Sequence, residues 1–167
     1  MTAQQVTVHA SAVLVGDRAV LIRGPSGSGK SRLAFDLILA GRAGQIPAAT
    51  LVGDDRVYLE IAQGQLMVRP ARELAGLIEI RGLGIRRCDF VEQAAVGLVV
   101  DLSAADAERM PAPDALFASV NGAIIPRIPV DAAFQPLPLV VAALATRPSD
   151  DCSKGIGNHI SPTIATQ

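Results

Sequence analysis

The 167-residue sequence predicts an α/β domain built on a mixed sheet. Three observations lead to this prediction. Short β-rich runs are joined by turn dipeptides, which is typical of hairpins and therefore of antiparallel strands. One glycine-rich loop lies between a strand-like run and a helical repeat, as in a strand–loop–helix unit. The run "AAVGLVVDL" is apolar on both faces, which favours a central strand.

The first elements follow from turn chemistry and spacing. "SAVLV-GD-RAVLI" predicts a hairpin that turns at Gly16-Asp17, with glycine supplying the positive φ. A helix is expected from Lys30, with Gly41 as its natural stop. Its apolar residues recur at helical spacing: Leu33, Ala34, Leu37, Ile38 and Ala40.

The remaining elements are mostly strands. "ATLV" predicts a buried strand that ends at Gly53, and "RVYLEIAQGQLMVR" a hairpin turning near Gln63-Gly64. "ARELAG" indicates one or two helical turns before "LIEI", a short strand. "LFASV-NG-AIIPRI" is a third hairpin, and "PLVVAALA" a closing helix. We expect one domain over residues 1–146 and a disordered tail over 147–167, where the sequence becomes polar.

Composition excludes several classes of protein. The net charge is −1 and no run is rich in lysine or arginine, so nucleic-acid binding is not expected. Cys88 and Cys152 have no metal-site spacing, which indicates free thiols in a reducing compartment. The N-terminus has no signal-peptide pattern, and no apolar run approaches the ~20 residues that span a bilayer. We therefore expect a cytoplasmic protein without membrane insertion.

"GPSGSGKS" matches the phosphate-binding loop G-x-x-x-x-G-K-[ST]. Glycines let backbone N–H groups approach phosphate oxygens, and the N-terminus of the following helix favours an anion. The lysine would reach the β- and γ-phosphates, and the last serine would bind magnesium. The loop residues are Gly24, Pro25, Ser26, Gly27, Ser28, Gly29, Lys30 and Ser31. They predict a site for ATP and Mg²⁺.

Two acidic sites compete for the magnesium-directing role that phosphoryl transfer requires. Asp101 follows the most apolar strand, as the carboxylate of a Walker B motif does. Asp54-Asp55 offers two adjacent acids, of which one could hold metal-bound water while the other faces the acceptor hydroxyl. The pattern of the residues leaves this choice open, and a solvated turn or a strand cap would also explain these acids.

"LIEIRGLGIRR" is a further candidate. Glu79 and Arg81 share one face of an extended strand, and would bind magnesium and phosphate or pair with each other. Gly82 and Gly84 allow a close backbone approach. His9, Arg109 and His159 carry no role that the pattern alone would assign.

Taken together, these segments resemble the catalytic domain of the bacterial HPr kinase/phosphorylase family. "VHASAVLV", "GPSGSGKS", "VGDDRV" and "IEIRGLGI" occur in that family's order and at similar intervals. The resemblance runs from about Val8 to about Ala145 and weakens after Asp101. It implies a P-loop domain related to phosphoenolpyruvate carboxykinase, a hexameric homo-oligomer, and magnesium- and ATP-dependent phosphorylation of a serine on HPr or an HPr-like phosphocarrier.

The resemblance also implies roles for individual residues. Asp55 takes the serine proton, Ser31 and Glu79 hold magnesium, and His9 and Lys30 belong to the active centre. Residues 78–87 form the family's signature segment.

Three departures modify this reading. The family's N-terminal domain is not represented, so we expect a short form consisting of the catalytic domain. The loop that carries a catalytic arginine is shortened, and Arg109 is the arginine it retains. "PVDAAFQP" has none of the arginines that the family ties to dephosphorylation, which leaves the reverse, phosphorylase reaction doubtful. A P-loop ATPase or small-molecule kinase, and a non-catalytic ATP-binding regulator, remain as alternatives.

Overall fold

A computed structural model describes residues 6–149. Within this range the chain forms eleven strands and two α-helices, α1 (Lys30–Arg42) and α2 (Pro136–Ala145). The strands are β1 (Thr7–Val8), β2 (Ser11–Val15), β3 (Arg18–Arg23), β4 (Ala49–Gly53), β5 (Val57–Ala62), β6 (Gln65–Pro70), β7 (Leu77–Ile80), β8 (Gly84–Arg87), β9 (Ala94–Leu102), β10 (Phe117–Val120) and β11 (Ala123–Val130). The predicted α/β class with a mixed sheet is confirmed.

Strand β9 occupies the centre of the nine-stranded main sheet, as its two-sided apolar pattern predicts. It pairs in parallel with β3 along one edge. Its other edge is shared, because β6 pairs antiparallel with its first residues and β11 in parallel with its last. The full path is β1-β5-β6-β9-β3-β2-β4.

The orientation of three strands sets the position of the candidate site. Strand β2 lies between β3 and β4 and is antiparallel to both. Strands β3, β4 and β9 therefore run in the same direction, and their carboxyl ends meet at one edge of the sheet. The phosphate-loop motif follows β3, Asp54 follows β4 and Asp101 lies near the end of β9.

A hydrophobic core covers each face of the central strands, and residues along each strand alternate between the two cores. One core packs Val13, Val20 and Ile22 against Leu33 and Leu37 of α1. The other core lies on the opposite face and contains Ala12, Ala19, Leu21 and Val99, among others. The helical spacing that predicted α1 thus corresponds to its buried side.

The predicted hairpin turns are present at Gly16, at Gln63-Gly64 and at Asn121-Gly122. Gly16 has φ 63°, and both residues of the other two turns also have positive φ. The two positive φ values at Asn121 and Gly122 are those that a type I′ turn requires at its central residues.

Two local predictions were wrong. Helix α1 passes through Gly41 and ends at Arg42, with Gly44 at φ 73° beyond it. Gly41 is close-packed instead, since a Cβ there would lie 2.8 Å from the Ala49 backbone nitrogen. Arg81 does not share a strand face with Glu79, because β7 ends at Ile80 and the chain turns through Gly82 into β8.

"ARELAG" forms a single 3₁₀ turn, Arg72–Leu74. His9 lies at a bend between β1 and β2 and not within a strand. Residues 147–149 belong to neither helix nor strand, and the rest of the expected tail lies outside the described residues.

Candidate active site

The phosphate loop connects β3 to α1 with an open, glycine-shaped backbone. Gly24, Gly27 and Gly29 have φ of 152°, 79° and 97°, values that favour glycine. A Cβ built at Gly27 or Gly29 would meet no atom within 4 Å, so space lies beside the backbone at both positions. Helix α1 begins at Lys30, and its N-terminus has no side-chain cap. The positive end of the helix dipole therefore lies at this loop.

Lys30 folds back onto the loop. Its Nζ donates hydrogen bonds to the carbonyl oxygens of Gly24 and Pro25, at 2.9 and 3.0 Å. The residue is only 6% exposed. Burial lowers the pKa of its ammonium, and the negative charges of Asp54 and Asp55 partly oppose that effect. The loop therefore holds a desolvated positive charge that an anion would neutralise.

Asp54 is the buried carboxylate of the site, at 3% exposure. The Ser31 hydroxyl lies 2.8 Å from both of its oxygens, and the Ser11 hydroxyl donates to Oδ1 at 2.5 Å. The backbone N–H of Glu79 donates to Oδ2 at 3.1 Å. The end of strand β4 thus places the Asp54 carboxylate in contact with Ser31 of the phosphate loop.

Asp55 faces the opposite way from its neighbour. Its side chain is 56% exposed, and its Oδ1 lies 3.1 Å from Nε2 of His9. The second oxygen lies 3.6 Å from Nε of Arg56. The residue has φ 69°, a left-handed conformation that is uncommon outside glycine. This turn of the backbone sends one carboxylate into the core and the other to the surface.

Asp101, the competing acid, is held by two arginines. Arg23 donates through Nε and Nη2 to its two oxygens at 2.7 and 2.8 Å, and Arg127 donates through Nε at 2.5 Å. Burial opposes ionisation of Asp101, but the hydrogen bonds and charges of the arginines outweigh it and lower its pKa. Arg127 also binds Asp106 through Nη1 and Nη2 at 2.7 and 2.9 Å. In the structure Asp101 is an ion-pair residue, and Asp54 is the acid beside Ser31.

Other predicted residues lie farther from this contact network. Glu79 meets Asp54 through its backbone nitrogen, while its side chain is exposed. Arg81 and Gly82 lie in the β7–β8 turn, and Gly84 begins β8. Arg109 is exposed in the segment between β9 and β10. His159 lies outside the described residues.

The sequence analysis did not identify three residues that contact the acids of the site: Ser11, Arg23 and Arg127. Ser11 carried a signal, since it is a polar residue at an alternate position of an otherwise apolar strand. Arg23 also carried one, because it directly precedes the phosphate loop at the end of an apolar run. Arg127 gave no signal, because its partner Asp101 is brought near it by the pairing of β11 with β9.

A groove of about 280 Å³ beside Arg127 has no residue of the phosphate loop in its lining. Its lining includes Asp106, Glu108 and Asp114, so it is poorly suited to a triphosphate. Residues 6–149 contain no group of three or more His, Cys, Asp or Glu side chains arranged to hold a metal. A magnesium ion that binds with phosphate oxygens and water needs only one or two carboxylates from the protein. Over the same described range, neither helix has the length and hydropathy to cross a membrane.

The chain is similar to HPr kinase/phosphorylases. It is 39% identical over 83 residues to the enzyme of Clostridium beijerinckii and 40% identical over 84 residues to that of Streptococcus thermophilus. Each alignment covers 50% of this chain and 25% of the relative. The chain therefore matches about a quarter of the length of these curated relatives.

A solved structure gives a more extensive match. The Hpr(Ser) kinase/phosphatase of Coxiella burnetii superposes with a TM-score of 0.64 at 28% identity, covering 84% of this chain and 88% of that one. The model of the HPr Serine kinase C-terminal domain matches residues 1–118. The family match includes the phosphate loop, Asp54 and Asp55. The protein accordingly belongs to the HPr serine kinase C-terminal domain family.

Proposed function

We propose that this protein is an ATP- and magnesium-dependent serine kinase that phosphorylates HPr or an HPr-like phosphocarrier. The observation that supports it best is the divergence of two adjacent acids at the end of β4. Asp54 is buried against Ser31, and Asp55 is exposed beside His9. Phosphoryl transfer to a hydroxyl needs a metal-directing acid and a group that orients or deprotonates the acceptor, and one backbone turn provides both.

The residues of the loop fit a magnesium nucleotide. The space beside Gly27 and Gly29 suits phosphate oxygens close to the backbone. The Ser28 hydroxyl is buried and has no partner within residues 6–149, so it is a further group that a ligand could satisfy. Ser31 and Asp54 would hold magnesium, and Glu79 is a second acidic candidate because its backbone contacts Asp54. Magnesium would supply charge neutralisation on the phosphates.

The chain's own groups would then act on the acceptor serine. Asp55 accepts the hydroxyl proton as the serine oxygen bonds to the γ-phosphorus and the bond from that phosphorus to the β-phosphate oxygen breaks, releasing ADP. His9 holds the Asp55 carboxylate. Lys30 stabilises the negative charge that develops on the phosphoryl oxygens, and Arg109 is the arginine we assign to the same task.

The proposal favours the forward reaction. Residues 129–136, "PVDAAFQP", contain no cation, whereas a reverse reaction would need positive charge for an incoming phosphate. The proposal also includes a phosphoenolpyruvate carboxykinase-like P-loop architecture, a cytoplasmic location and homo-oligomeric assembly. Sedimentation analysis would measure the assembly.

The deciding experiment is a phosphorylation assay read by mass spectrometry. The protein is mixed with magnesium-ATP and the HPr-like carrier of the same organism, and added phosphate is mapped. We expect a single phosphoserine on the carrier, abolished in Asp55→Asn. Asparagine is the matched replacement because it also tolerates the left-handed backbone that Asp55 adopts.

Other outcomes would replace the proposal. ATP binding without transfer to the carrier would support a non-catalytic ATP-binding regulator. Transfer to a sugar or glycerol without any carrier protein would support a small-molecule kinase. Transfer that persists at the wild-type rate in Asp55→Asn would remove Asp55 as the base.

A further inference from the structure

Ser11 lies next to the candidate site but belongs to none of the motifs that identify it. We propose that Ser11 is a positioning residue, whose hydroxyl holds the Asp54 carboxylate in the orientation that meets Ser31 and magnesium. This inference rests on the nucleotide-binding part of the proposed function. It does not depend on which molecule accepts the phosphate.

The position of Ser11 in the sheet explains why it reaches Asp54. Strand β2 runs between β3, which leads into the phosphate loop, and β4, which leads to Asp54. Ser11 has the same parity as Val13 and Val15, which pack into the core on the α1 face. Its side chain therefore points to the face on which α1 lies, with Ser31 in the first turn of that helix. It is the polar position on a face that is otherwise apolar along β2.

The contact is made where water is excluded. Ser11 is 0% exposed and Asp54 is 3% exposed, so the carboxylate depends on protein donors for its hydrogen bonds. Three donors supply them within the described part of the chain. These are the hydroxyls of Ser11 and Ser31 and the backbone N–H of Glu79.

The three donors differ in which oxygen of the Asp54 carboxylate they contact. Ser11 binds only Oδ1, at 2.5 Å, and the Glu79 N–H binds only Oδ2, at 3.1 Å. Ser31 lies at 2.8 Å from both. Ser11 and Glu79 thus each hold a different oxygen of the carboxylate, and Ser31 contacts both. Without Ser11, only Ser31 would hold Oδ1, although Ser31 is also the residue assigned to magnesium.

The consequence is a specific effect on metal binding. In Ser11→Ala the carboxylate can rotate away from the orientation that suits magnesium. The phosphate loop, Lys30 and the start of α1 would be unchanged. The magnesium dependence of nucleotide binding should therefore change, while metal-free nucleotide binding should not.

The experiment measures binding of a fluorescent ATP analogue, first with EDTA and then across a magnesium titration. We expect Ser11→Ala to raise the half-saturating magnesium concentration about tenfold, as loss of one hydrogen bond to a charged group would do. Affinity in EDTA should stay within about twofold of wild type, because the Ser11 hydroxyl donates to Asp54 and not to a residue of the phosphate loop. Thr50→Val is the matched control, since it removes a hydroxyl from neighbouring strand β4 while conserving volume.

Three results would overturn the assignment: an unchanged magnesium midpoint in Ser11→Ala, an equal loss of affinity in EDTA, or the same shift in Thr50→Val. Circular dichroism would establish that each variant is folded. If Ser11→Ala does not fold, Ser11→Cys fills the same position with a weaker donor and should raise the midpoint about threefold. A wild-type midpoint in Ser11→Cys would then overturn the assignment.

The test also separates this inference from the proposed function. A wild-type protein that binds magnesium-ATP but phosphorylates no carrier would remove the kinase proposal, and the Ser11 effect would still be measurable. A protein that phosphorylates the carrier yet shows no Ser11 effect would remove this inference alone.

Discussion

Nε2 of His9 lies 3.1 Å from Oδ1 of Asp55, so a bend before the first long strand meets the turn that follows β4. Both side chains are about half exposed, and an acceptor protein could therefore reach them. The contact is made on the oxygen of Asp55 that Arg56 does not approach. His9 is thus placed to orient the proposed base without covering it.

We expect His9→Ala to lower kcat about tenfold, since a misplaced base loses part of its contribution to proton transfer. The Kd for magnesium-ATP should be unchanged, because the partner of the His9 imidazole is Asp55, which lies outside the phosphate loop. Steady-state kinetics with the carrier and nucleotide-binding measurements check the two halves of this prediction.

His9→Gln is the matched variant, because its amide can still donate to Asp55. It should recover part of the lost turnover. If His9→Ala reduced nucleotide affinity as much as turnover, the positioning role would be wrong.

Lys30→Met should weaken nucleotide binding about a hundredfold or more, because the buried charge that faces the phosphates is lost. The stability of the ligand-free protein should change little, because methionine removes a charge that burial disfavours but also removes two hydrogen bonds to the Gly24 and Pro25 carbonyl oxygens. Burial lowers the pKa of Lys30, which means that folding disfavours its charged form. Calorimetric titration and thermal unfolding of the ligand-free protein provide the two measurements.

Lys30→Arg keeps the charge but not the compact ammonium geometry, so it should not restore wild-type affinity. Wild-type affinity in Lys30→Met would contradict the role of Lys30 in phosphate binding.

Asp101→Asn should destabilise the protein by about 2 kcal/mol, because Arg23 and Arg127 would lose their shared partner. Asp101 is only 15% exposed, so solvent does little to compensate. The pKa of the folded-state carboxyl lies below that of the unfolded chain. The ion pairs therefore stabilise the fold above the unfolded pKa of about 3.9, and this stability is lost as the pH falls through the lower folded-state value.

Urea unfolding between pH 3 and pH 7 measures this effect, with about pH 3.9 marking the start of the expected loss. Asp36→Asn is the control, because burial raises the pKa of Asp36 and its contact with Arg32 is 3.8 Å long. For Asp36 the sign is opposite: its burial cost is present above the folded-state pKa and is relieved as the pH falls through it. A loss of stability in Asp36→Asn as large as in Asp101→Asn would contradict the assigned importance of the arginine cluster.

Gly41→Ala should destabilise the protein by about 1–3 kcal/mol, although alanine is the better helix former by about 1 kcal/mol. A Cβ at this position would lie 2.8 Å from the Ala49 nitrogen and 2.9 Å from the Ala49 Cβ. The backbone of β4 would have to shift to relieve these contacts. Denaturant unfolding measures the change. A stabilised variant would show that α1 and β4 can move apart at no cost.

The elements of the fold were largely predictable because their causes are local. Turn dipeptides such as Gln63-Gly64 and Asn121-Gly122 determine hairpins through their own backbone preferences. The hydrophobic pattern of β9 is a property of one strand. The end of α1 was mispredicted because two roles of glycine look alike in sequence. Gly41 permits close packing against β4, whereas Gly44 supplies the positive φ beyond the helix.

The difference between local causes and long-range causes also applies to the candidate site. The sequence by itself determined the phosphate loop, because the residues that shape it are contiguous, and it proposed both acidic positions. Only the tertiary structure shows which of these acids lies beside Ser31. Sheet order places β9 beside β3 and β11, so Asp101 meets two arginines. The antiparallel pairing of β2 with β4 instead brings Asp54 to Ser11 and Ser31. The pairing of distant strands decides which side chains share a buried space, and no pattern within a single strand encodes that pairing.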